Sequence, residues 1–145
     1  MLKALNKKTS VEQHYRAIEL LTNEGIGIFA SFVLGAPGET LSSLEDTYQF
    51  LQRIVELANV PYLSASAFIP FPGSKNYKDL ARLFPKKYDK KDYLDIEETM
   101  LDWAGHFCPD LGPDKYSRFH KLIEYEIKIN ETGEIKSYFL TNLHY

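Results

Sequence analysis

The hydrophobic period of this chain switches from helix to strand and back within its first seventy residues. Val11, Tyr15, Ile18 and Leu21 step by three and four, and Ala17 and Leu20 widen the stripe. That spacing predicts a helix over 11–24 with one buried face. Thr9 with Glu12, or Ser10 with Gln13, supplies a capping box, and Gly25 after Glu24 supplies a left-handed stop. Residues 26–34 are nearly all apolar, many of them β-branched or aromatic, the composition of a strand covered on both faces. Alternation separates Ile28, Ala30, Phe32 and Leu34 from Phe29, Ser31, Val33 and Gly35. The second set shrinks toward its carboxyl end and carries a hydroxyl, so it is assigned to the side where a ligand needs room. Leu41, Leu44, Tyr48, Leu51, Val55 and Ala58 then return to helical spacing, capped by Thr40 or Ser42 and ended by Asn59 and Pro61. A second strand over 62–68 sets Ser64, Ser66 and Phe68 against Leu63, Ala65 and Ala67, and its serines are placed on the face of Ser31. Strand, helix and strand in this order form a βαβ unit, which predicts parallel pairing with the crossover helix on the outer face.

Beyond Ser74 the pattern weakens. A short helix is expected over 76–83 and a linker over 84–92, where Pro85 is followed by four lysines and two aspartates. Helical spacing resumes over 96–107 and 114–124, on either side of Cys108-Pro109-Asp110-Leu111-Gly112-Pro113. Residues 124–130 and 134–140 alternate around Glu131-Thr132-Gly133, a hairpin signal. The class is α/β with a C-terminal α+β extension.

At 145 residues the length suits one domain, and ten tyrosines and nine phenylalanines point to aromatic packing. A net charge of −3 gives no basic footprint for nucleic acid. One cysteine forms no intrachain disulfide, no apolar run approaches membrane-helix length, and the three lysines among residues 1–8 precede no apolar core. The expectation is a cytoplasmic protein that binds neither membrane nor nucleic acid. His106 and Cys108 form a His-x-Cys pair, but structural zinc needs four ligands. No metal site is assigned; Cys108 is expected to be buried beside a surface histidine. His14 is expected to be partly exposed, and Glu97, Glu98 and Asp102 are expected on a solvated helix face. Trp103, Tyr116, Phe119 and Tyr125 are expected in the core of the C-terminal part.

Two strand-to-helix exits carry the candidate chemistry. In Gly35-Ala36-Pro37-Gly38-Glu39-Thr40 a glycine removes a side chain at the strand end, a proline stiffens the turn, and the next helix points unpaired amides toward the same mouth. Pro70-Phe71-Pro72-Gly73-Ser74 fixes an extended exit followed by a sharp change of direction. The first alone is equally a tight turn with good capping and no ligand, and the second alone reads first as a rigid turn. Parallel α/β folds gather ligands at such carboxyl ends.

Taken with Thr9-Ser10-Val11-Glu12-Gln13, the order and spacing of segments 30–40 and 68–74 resemble radical S-adenosylmethionine (SAM) enzymes, most closely the group with an upstream cobalamin-binding domain. The resemblance covers residues 1–77. It implies the fifth and sixth strands, the last two, of a partial (β/α)6 TIM-like barrel, with residues 78–145 as a helical and hairpin extension that covers the barrel's open side. It implies an intact enzyme that uses a [4Fe–4S] cluster to cleave SAM reductively to a 5′-deoxyadenosyl radical. Val33 matches the position beside the adenine of SAM, and Gly35 the glycine that keeps that space open. Glu39 matches the acidic position, one residue later than the general pattern, either as a ligand contact or as a holder of the turn. Phe68 and Ile69 match the sixth-strand backbone that binds adenine. The family's three cluster cysteines, in C-x-x-x-C-x-x-C spacing, have no counterpart here. The expected partner is therefore a missing N-terminal half of the same polypeptide, the isolated chain is expected to be inactive, and no catalytic residue is assigned within it. Cobalamin is implied only through an upstream domain. Cutting the barrel also leaves strand 26–34 with an apolar edge, through which self-association is expected unless the 124–140 hairpin covers it. The competing readings are a non-catalytic α/β interaction module and a small phosphate-binding protein, the latter lacking a basic residue at the Gly35–Thr40 mouth.

Overall fold

A computed structural model describes residues 1–57, 62–88, 95–111 and 121. The chain runs α1 (Val11–Asn23), β1 (Phe29–Leu34), α2 (Leu41–Leu57), β2 (Tyr62–Ala67), α3 (Lys75–Leu83), α4 (Pro85–Tyr88) and α5 (Ile96–Phe107), then a 3-10 turn at Pro109–Leu111. The expected hairpin and, Lys121 apart, the expected helix 114–124 lie outside the described residues, as do Tyr116, Phe119 and Tyr125.

Ser10 and Gln13 form the capping box of α1: the Ser10 hydroxyl accepts from the Gln13 amide at 3.2 Å and the Gln13 side chain from the Ser10 amide at 2.8 Å. At the other end the Ile26 amide donates to the Leu21 carbonyl and the Gly25 amide to Thr22, with Gly25 at φ +69°. Those are the two bonds of a Schellman stop. The single buried face expected of α1 is only partly realised. No α1 residue is fully buried; Tyr15 and Ile18 pack against the core, while Val11, Leu20 and Leu21 stay exposed.

β1 and β2 pair in parallel, with Phe29 opposite Tyr62, Ser31 opposite Ser64 and Val33 opposite Ser66. The ladder starts at Phe29, so residues 26–28 of the expected strand fall outside it. Ala30, Phe32 and Leu34 face a core made with Leu44, Leu51 and Ile54 of α2, Ala65 of β2, Ala104 and Cys108. Each fully buried Leu or Ile there contributes about 1.5–3 kcal/mol over its exposed state. The crossover helix thus packs on one face, and Ser31 and Ser64 share the other, their hydroxyls 3.1 Å apart. Both were expected from the alternation. Thr40 caps α2 through a reciprocal pair with Ser43, at 3.1 and 2.9 Å.

Two expectations are corrected in the C-terminal part. Residues 84–92 are not simply a linker: α4 lies within them, and Tyr88 is buried with Tyr77, Leu80 and Trp103. The acidic face of α5 is not simply solvated either. Lys87 bonds both Asp102 and Glu98, the latter at 2.6 Å, and the Tyr88 hydroxyl donates to Asp102 at 2.7 Å. Burial of its aromatic neighbour makes Asp102 a tie between α4 and α5. Desolvation pulls the Lys87 ammonium down, but its bonds to Asp102 and Glu98 leave it raised. Burial, then the Asp102 carboxylate, push the Tyr88 hydroxyl well up.

Candidate functional site

The carboxyl ends of β1 and β2 lie side by side, since the Phe68 amide continues the ladder onto the Leu34 carbonyl at 2.6 Å. Each end leaves through a Pro-Gly turn. After β1, the Glu39 amide donates to Ala36 at 2.9 Å with Gly38 at φ +78°. After β2, the Ser74 amide donates to Phe71 at 3.1 Å with Gly73 at φ +91°. Proline second and a positive-φ glycine third mark both as type II turns. Each delivers its chain to a helix cap, Thr40 for α2 and Ser74 for α3.

Glu39 is 1% exposed. Its carboxylate accepts from the Gly35 amide at 3.3 Å and from the Ser43 hydroxyl. Burial pushes the carboxyl above its ordinary range, against the lowering effect of the bonds from Ser43 and Gly35. Of the two roles implied for Glu39, this geometry serves the turn. Gly35 itself stands at φ +81°. Its carbonyl accepts the Trp103 indole N–H at 2.9 Å and the Cys108 thiol at 3.4 Å. The Gly38 amide donates to the Phe107 carbonyl at 2.9 Å.

Val33 points to the open face of the sheet, 45% exposed, across from Ser66. Phe68 and Ile69 are half-buried at the end of β2, and the Phe68 ring lies 5.0 Å from Trp103. The structure therefore brings Val33, Gly35, Phe68 and Ile69 to one end of the sheet and turns Glu39 inward beneath them. Sequence patterning did not reveal that α5 closes this end. The signal was available: an indole N–H on a helix face expected to be buried needs an acceptor. Cys108 is buried as expected, and exposed His106 sits at hydrogen-bond distance from the Asp102 carbonyl. His14 is exposed beside Thr9. Among the described residues no group of three or more His, Cys, Asp or Glu could hold a metal, and no helix is long and apolar enough to cross a membrane.

No protein-family model matches the chain. No solved structure matches it significantly. Two curated proteins are similar to it. Over 117 residues, 81% of the chain, it is 32% identical to the anaerobic magnesium-protoporphyrin IX monomethyl ester cyclase of Rubrivivax gelatinosus. Over 74 residues, 51% of the chain, it is 34% identical to the uncharacterized protein MK0932 of Methanopyrus kandleri. The chain spans less than a fifth of either relative, 18% and 14% of their lengths. The likeness to an anaerobic cyclase supports the relation to radical SAM enzymes that the two strand-end motifs imply.

Proposed function

We propose that this chain forms the last two strands of a radical SAM barrel and supplies the adenine side of its SAM site. The observation that carries the reading is the parallel pair itself. Its open face bears Ser31, Val33, Ser64 and Ser66, and its adjoining ends at Gly35 and Phe68 turn straight into helices. An apolar Val33 offers a wall for a flat base. Gly35 adds no side chain above it, and the Phe68–Ile69 peptides are the nearest backbone for an adenine edge. The amide and carbonyl of Gly35 are engaged by Glu39 and Trp103, so Gly35 contributes space and shape. In the intact enzyme SAM with a [4Fe–4S] cluster would supply radical chemistry, Val33, Gly35, Phe68 and Ile69 lining the adenine side. One cysteine does not fit a cluster that requires several thiolates, so the ligands belong to a preceding half of the polypeptide. That half is the proposed partner, seated on the open face and outer edge of β1. An upstream cobalamin-binding domain belongs to the same proposal, as does self-association of the isolated chain through that edge.

The test is a titration of the chain with SAM followed by amide chemical shifts. Saturable shifts at Val33, Gly35, Phe68 and Ile69 are expected, with the α3 and α4 amides unmoved. Shifts confined to other surfaces, or none at millimolar SAM, would overturn the assignment. Anaerobic reconstitution should leave the chain without stoichiometric iron and sulfide; a cluster bound to each chain would refute the division of labour.

A further inference from the structure

Trp103 touches both strand ends at once. It is 1% exposed, its indole N–H donates to the Gly35 carbonyl at 2.9 Å, and its ring lies 5.0 Å from Phe68 and 4.1 Å from Phe107. Gly35 closes β1 and Phe68 follows β2, so one side chain of the C-terminal extension spans the two positions proposed to flank adenine. The bond is local and directional. A carbonyl at a strand end has no ladder partner beyond it; the indole N–H is its strong donor here, with the Cys108 thiol at 3.4 Å as a weak second one. The last turn of α5 adds a second attachment through the Phe107 carbonyl and Gly38 amide.

We infer that Trp103 is a positioning residue: its indole N–H latches the Gly35–Glu39 turn to α5 and its ring fixes that turn's spacing from Phe68. The inference rests on the SAM reading for its purpose, since a base held between Val33 and the Phe68 peptide needs those two strand ends at a constant separation. Its physical content does not depend on that reading. The C-terminal extension thereby sets the shape of the site as well as covering it.

Hydrogen exchange on the full 145-residue chain, without SAM, separates the two proposals. Trp103→Phe removes the donor together with part of the buried ring volume, and keeps a six-membered ring for Phe68 and Phe107; Leu51→Ala serves as the cavity control. Relative to the α2 amides, exchange at the Gly38 and Glu39 amides should rise ten-fold or more, while Leu51→Ala, a core substitution in α2, should speed α2 at least as much as the turn. A Trp103→Phe protein in which turn and α2 accelerate together, or in which neither changes, would overturn the latch. The wild-type chain offers a second reading should that variant fail to fold. Its one tryptophan gives a single indole proton resonance, whose protection relative to its own intrinsic exchange should match that of the Gly38 amide because one opening frees both. An indole proton ten-fold less protected than the Gly38 amide would refute the proposal regardless of what SAM does.

Discussion

The two strand exits are built from the same local chemistry and reach different ends. Both use Pro-Gly type II turns, and both deliver a hydroxyl to a helix cap. After β1 the turn is roofed by α5 and underpinned by a buried carboxylate. After β2 the turn stands in solvent, with Phe71, Pro72 and Gly73 all exposed. Turn type is thus set by three or four adjacent residues, whereas rigidity is set by partners almost seventy positions away. A motif alone does not distinguish a clamped turn from an open one.

The largest effect expected from probing that contrast is at Glu39. Glu39→Ala leaves the Gly35 amide buried without its acceptor, a loss of about 1–3 kcal/mol. Denaturant unfolding measures it, and a loss under about 0.5 kcal/mol would show that the β1 exit is no better anchored than the β2 exit. Gly38→Ala and Gly73→Ala come next. A Cβ at either position meets nothing within 4 Å, so each should cost only the left-handed penalty, roughly 1–2 kcal/mol, and the two should agree. A clear surplus at Gly38 in the same unfolding assay would mean that the α5 roof transmits strain to the turn. The smallest effect is on pH dependence. Burial raises the Glu39 carboxyl in the folded state, so between its unfolded and folded pKa values the native chain holds more protons. The Glu39 contribution to stability therefore falls as pH rises from about 4.3 through the folded pKa, and is recovered on acidification. The stability difference between wild type and Glu39→Gln, followed from pH 4 to 7, should decline with pH; a flat or rising difference would contradict the raised carboxyl.

The elements were legible where the period is strong and the partners are local. Capping pairs, the Gly25 stop and the alternation of β1 all depend on neighbours within five residues, and they appear as the sequence indicates. The start of β1 was not legible, because ladder length is set by the partner: among the described residues the first pair is Phe29 with Tyr62. Among the lysines near α4, composition pointed to solvent. A single buried tyrosine and its bond to Asp102 decided otherwise. At the candidate site, position within the strands was readable for Val33, Gly35 and Phe68. The inward turn of Glu39 was readable only as one of two alternatives. Of the roof of Trp103, Phe107 and Cys108, only the need of a buried indole for some acceptor was readable; which acceptor was not, since its contacts join residues 35–38 to 103–108.

The parallel register also bears on the order in which this molecule assembles. Ser31 and Ser64 meet across thirty-three positions, so no tight turn can zip the ladder. Closing a flexible loop of that length costs roughly 2 kcal/mol more than closing one of four residues. Seventeen of the intervening residues belong to α2, which carries its own Thr40–Ser43 cap and forms, as helices do, within about a microsecond. Once α2 exists, the span to be closed is a short rod with two brief ends, and Leu44, Leu51 and Ile54 already present the surface on which Leu34 and Ala65 settle. This connectivity favours helix before sheet, and a substitution that weakens α2 is expected to slow folding, measured by stopped-flow refolding.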